Sequence, residues 1–137
     1  MPSGSCLCKA LQYEYSGEPA SKISPTLTPQ PHHNSASSVN LLVPQDHFHL
    51  VKGTAKEYHQ THESGMHMTL HFCGTCGSLL YKTADRKEFE GGVIVLAGTL
   101  DDPRALDDAK PEAEFFVKHR ASWWPALADA KQLQEFD

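Results

Sequence analysis

Four cysteines, arranged as two tight pairs, constrain this chain more than anything else in it. Cys6-Leu7-Cys8 opens the sequence, and Cys73-Gly74-Thr75-Cys76-Gly77 lies near its middle. Four thiolates make a complete tetrahedral set, and zinc takes sulfur ligands at about 2.3 Å. A C-x-x-C-G turn aims two of them at one point. Four protein ligands also close the coordination shell, so such a metal is expected to hold the fold and not to do chemistry. Two disulfides and a redox-active C-x-x-C are the alternatives. Met1-Pro2-Ser3-Gly4-Ser5 lacks the basic and apolar regions of a secretory signal, which weighs against disulfides. Redox motifs usually open a helix, whereas Gly77-Ser78-Leu79-Leu80-Tyr81 reads as a strand.

The chain of 137 residues is expected to form one domain over 1–137 with a modest core. No apolar stretch approaches the roughly 20 residues of a membrane span. A soluble protein of a reducing compartment, the cytoplasm, is therefore expected. The formal charge of −5 argues against nucleic-acid binding through phosphates. Nine histidines qualify that charge, because protonating all of them moves it to +4.

Strand patterns fill the first two thirds. Leu11–Tyr15 alternates apolar with polar, Val39–Val43 is an apolar run stopped by Pro44, and Phe48–Val51 leads to a turn at Lys52-Gly53. Ala55–His59 follows as a further strand. Met66–Phe72 alternates most clearly, setting Met66, Met68, Leu70 and Phe72 against His67, Thr69 and His71. His67 and His71 lie roughly 13 Å apart at strand rise, too far to share a metal, and are expected to be exposed or to lie one layer behind a site. Val93–Leu96 reads as the most buried strand. Asp101-Asp102-Pro103 predicts a short helix or turn through Leu106, and Trp124-Pro125 a second short helix ending near Gln134. Ser24–Ser38, with three prolines and the His32-His33 pair, reads as a loop.

Several blocks together resemble one family. Gly4-Ser5-Cys6-Leu7-Cys8, Ser38–Pro44, Phe72–Ser78 and Ala97–Asp102 recur in order. They are similar to the glutathione-dependent formaldehyde-activating enzymes, also called the centromere-protein-V-like domain. Lys118–Trp123 resembles the tail of fungal members. The resemblance implies a mainly β, compact, zinc-stapled sheet domain (β-tent-like) with short C-terminal helices. It also implies a structural zinc on Cys6, Cys8, Cys73 and Cys76. Family members carry a second zinc on a C-x-C-x-x-C motif, with its remaining position facing substrate. Counting back from Asn34-Ser35-Ala36-Ser37-Ser38 puts those cysteines at Ser24, Thr26 and Pro29, none of them a thiol. Hydroxyls are poor zinc ligands and proline offers no side-chain ligand. One structural zinc and no catalytic metal are therefore expected, without formaldehyde activation.

His32 and His33 are then the candidate catalytic acid and base. Ser24, Thr26, Asn40 and Trp124 are candidate substrate contacts. Trp123 and Trp124, if extended, point opposite ways, leaving at most one for a pocket. The expected activity is of lyase, cyclase or isomerase type on a small organic substrate such as a secondary metabolite. The alternative is a non-catalytic relative that binds a ligand or partner. Oligomeric state is not legible.

Overall fold

The computed structural model describes residues 1–25 and 37–137. Its described residues form two sheets. The smaller has β1 (Ser3–Ser5), β2 (Gln12–Tyr15) and β5 (Phe48–Lys52) in the order β1-β2-β5. The larger is built from β3 (Ser21–Pro25), β4 (Asn40–Pro44), β6 (Lys56–Thr61), β7 (His67–Phe72), β8 (Leu79–Ala84), β9 (Gly92–Leu96), β10 (Ala113–Phe115) and β11 (Lys131–Gln132). Their order is β11-β10-β3-β4-β9-β8-β7-β6. Its pairs are antiparallel except β10 with β3 and β10 with β11. A bridge between Gly4 and Leu100 ties the smaller sheet to the corner after β9.

The mainly β architecture with few short helices is the one expected. Alternation in β2 turns Tyr13 and Tyr15 inward, at 0% and 4% exposure, against half-buried Gln12 and Glu14. β9 buries Val93, Ile94 and Val95 in succession, as a strand covered on both faces must. One apolar cluster joins β2 to β4, β8 and β9 and includes Cys6 and Cys73. A line of rings runs through it: Tyr13 to Phe48 at 5.2 Å, Phe48 to Tyr81 at 4.7 Å, and Tyr81 to His71 at 4.3 Å. A second cluster, with Ile23, Met68, Phe89 and Ile94, is closed over by Phe136.

Two expectations need correction, and one between them is met. The stretch from Ser24 does not begin as a loop, because Ser24 and Pro25 complete β3 between β4 and β10. The short helix near Asp102 forms as α1 (Ala105–Asp108), entered through an Arg104 N–H to Asp102 Oδ1 bond of 2.9 Å. The second helix, from Trp124 towards Gln134, does not form: the segment turns repeatedly and then pairs as β11. Asp129 there adopts a left-handed φ of 66°, and the Leu127 N–H donates to the buried Glu114 carboxylate at 3.0 Å. A strong tertiary acceptor has outweighed local helix propensity.

Candidate metal centre and its surroundings

The two cysteine pairs reach each other from the start and the middle of the sequence. Cys6 and Cys8 lie on the loop between β1 and β2, and Cys73 and Cys76 on the turn between β7 and β8. Gly77 closes that turn at φ 78°, a left-handed conformation that glycine adopts without strain. All four sulfurs lie within 4.8 Å of one another. Cys6 to Cys8 is 3.6 Å and Cys8 to Cys73 is 3.7 Å. A tetrahedron with zinc–sulfur bonds of about 2.3 Å has edges of about 3.8 Å, so the donor set fits one zinc ion. These separations exceed a covalent sulfur–sulfur bond, about 2.05 Å, and all four cysteines are free. The C-x-x-C leads into a strand and not a helix, which also weighs against a redox motif.

Backbone amides point at the sulfurs as a thiolate site requires. Leu11 N–H donates to Cys6 Sγ at 3.3 Å and Thr75 N–H to Cys73 Sγ at 3.4 Å. The Ser78 hydroxyl lies 3.2 Å from Cys76 Sγ and also accepts from Leu7 N–H at 3.2 Å, joining the two loops. Hydrogen bonds from the Ser78 hydroxyl, then from the Ser78 and Cys8 amides, hold the Cys76 thiol down at about 5. Amides of Cys76 and Thr75 lower Cys73. Cys8 behaves oppositely: the Ala10 amide favours its thiolate, but desolvation and the adjoining thiols prevail and push it up to about 11. Four thiols this close resist full ionisation until a cation shares their charge.

A comparison with protein families matches residues 1–119 to the glutathione-dependent formaldehyde-activating enzyme model. The chain belongs to this family. Among solved structures it is similar to a Rhodobacter sphaeroides protein, with TM-score 0.57 and 18% identity over 76% of this chain and 94% of that one. At that identity the likeness speaks for the fold. No curated protein matches the sequence significantly.

In this formaldehyde-activating-family chain, the other candidate residues are dispersed. Ser24, half-buried at the end of β3, has its hydroxyl 2.9 Å from that of Ser37, which donates to the Pro25 carbonyl at 3.1 Å. Asn40 opens β4 at 3% exposure, its Oδ1 accepting from the Ser38 hydroxyl at 2.9 Å. Register pairs Asn40 with Ile23, so Ser24 and Asn40 share one end of the β3–β4 pair. Trp124 is 38% exposed and sits on a turn beside Trp123, their rings 5.4 Å apart. The two indoles therefore lie together and do not point opposite ways, because the segment is turned, not extended. Thr26, His32 and His33 lie outside the described residues.

Two features escaped the sequence reading. His71 is not a surface residue: its side chain is 12% exposed, stacked on Tyr81, with Nε2 3.2 Å from Thr83 Oγ1 and Nδ1 3.7 Å from Glu57. Its neighbour across the turn of phase, His67, is exposed as expected. Lys82, in the middle of β8, is buried at 7% exposure. Nothing in Leu80-Tyr81-Lys82-Thr83 separates a buried lysine from a solvated one; only the sheet around it does.

Proposed function

We propose that this chain keeps the family scaffold as a zinc-stapled support and performs acid–base chemistry on a small organic molecule without a catalytic metal. The fate of the cysteines carries this reading. The sequence has four, and all four converge on one closed donor set, so none remains for an open site. Where the resemblance puts the first cysteine of the second metal site, Ser24 offers a hydroxyl already engaged with Ser37. Proton transfer, elimination or cyclisation needs groups that titrate near neutrality, which His32 and His33 supply from the same segment. Ser24, Thr26, Asn40 and Trp124 are the proposed substrate contacts.

The test joins metal analysis to an activity assay. Purified protein should hold one zinc per chain and leave the formation of S-hydroxymethylglutathione from glutathione and formaldehyde at its uncatalysed rate. Two tightly held zincs, or acceleration of that reaction, would overturn the proposal.

A further inference from the structure

Among the described residues, the two buried charged side chains are treated very differently. Glu114, 8% exposed, is met by Arg120 Nη2 at 2.8 Å, Gln132 Nε2 at 2.7 Å and the Leu127 N–H at 3.0 Å. Lys82, 7% exposed, has no hydrogen bond or ion pair from its amine among the described residues. Lysines are almost never buried this far without a partner. The single fully occluded side-chain polar atom lacking a hydrogen bond among the described residues is Arg86 Nε, so the Lys82 nitrogen is not wholly sealed from solvent.

The surroundings of that amine follow from strand register. Lys82 pairs with Leu70 on β7 and Ile94 on β9, and Ile94 pairs in turn with Leu42 on β4. Residues on one rung share a face, so the lysine rises from among three branched apolar side chains, with His62 near enough to feel its charge. Ile94 and Leu42 belong to the second apolar cluster. Burial is the cause that pushes the ammonium down to about 8, with no carboxylate opposing it. At neutral pH about a tenth of such lysines carry a free amine, against fewer than about one in a thousand for an ordinary lysine.

From the buried, unpartnered amine and its apolar walls we infer that Lys82 is a carbonyl-reactive site, forming a Schiff base with small, largely apolar aldehydes or ketones. Desolvation in an apolar setting is one of the ways proteins make lysine nucleophilic. The free amine adds its lone pair to the carbonyl carbon, forming a C–N bond while the oxygen takes up a proton. Loss of the hydroxyl as water, with the second nitrogen proton, leaves the C=N double bond. No oxidant, reductant or metal is consumed. The inference stands apart from the acid–base proposal, since it needs neither His32 nor His33.

Reductive trapping on the zinc-loaded full chain tests it. Limiting acetaldehyde with cyanoborohydride at neutral pH converts each Schiff base to an N-ethyl amine, which peptide mapping by mass spectrometry assigns to a residue. Lys82 should be labelled at least about ten-fold faster than exposed Lys87 and Lys110, in line with its larger free-amine fraction. Lys82→Met should lose this fast label and keep the slow one elsewhere. Labelling of Lys82 in the folded protein no faster than that of Lys87 or Lys110 would overturn the inference, and the unsubstituted protein gives that result by itself.

Discussion

A Cβ at Gly4 would lie 2.2 Å from the Tyr13 ring, closer than any real side chain approaches. Tyr13 has no room to yield: it is fully buried, stacked on Phe48, and bonded through its hydroxyl to Thr99 Oγ1 at 2.7 Å. Gly4→Ala should therefore cost about 3 kcal/mol, at the upper end for overpacking, read as a lowered denaturation midpoint. A variant within about 0.5 kcal/mol of the parent would show that β1 shifts freely. Glu114 makes the complementary case. Removing its carboxylate strands Arg120 and the Leu127 N–H in a half-closed setting, and Glu114→Ala should cost about 3 kcal/mol. Equilibrium unfolding in urea checks this, and a loss below about 1 kcal/mol would mean that Gln132 and water replace the carboxylate.

At the scale of elements, the thiolate centre is the joint between the β1–β2 loop and the β7–β8 turn. Structural zinc sites contribute on the order of 10 kcal/mol, comparable to the whole stability of a domain this size. Cys76→Ser, or a strong chelator, should abolish cooperative unfolding by circular dichroism, and a metal-free variant that still melts cooperatively would contradict the assignment. These cysteines were legible in the sequence because ligand count and spacing are themselves the chemistry. β7 was legible because its faces differ in polarity, and β9 because it is apolar throughout. β3 was not, since Ser21-Lys22-Ile23-Ser24-Pro25 has one inward apolar residue, Ile23, and owes its conformation to β4 and β10 on either side. The missing helix after Trp124 failed for the same kind of reason, its amide drawn away by Glu114. Of the candidate site, Ser24 and Asn40 fall at one end of a strand pair, while the burial of Lys82 and His71 depends on sheet neighbours that no local pattern encodes.

For the whole molecule, acidity is the condition that should undo it. His62 and His71 both have pKa values held below the usual range, burial being the first cause in each. A histidine kept neutral by folding lends stability above its unfolded pKa, about 6.5, and that contribution is lost as pH falls below it. Asp101, lowered first by the Ser5 hydroxyl, adds a second loss at more acidic pH. Thermal midpoints should decline as pH falls from about 7 towards about 5. Zinc release by thiolate protonation has the same sign. His71→Gln separates the two, because it should flatten part of the decline while metal loss is unchanged. An unaltered profile in that variant would remove His71 from the account.

The joint between distant loops also sets an order of events in synthesis. Cys8 and Cys73, whose sulfurs end 3.7 Å apart, are separated by 65 positions. A ribosome therefore completes and releases more than half of this polypeptide before a tetrahedral site exists. Until Cys76 has left the exit tunnel, Cys6 and Cys8 are a bare dithiol, open to oxidants and to competing soft metals. The supply of reductant and zinc around the nascent chain therefore bears on how the site matures.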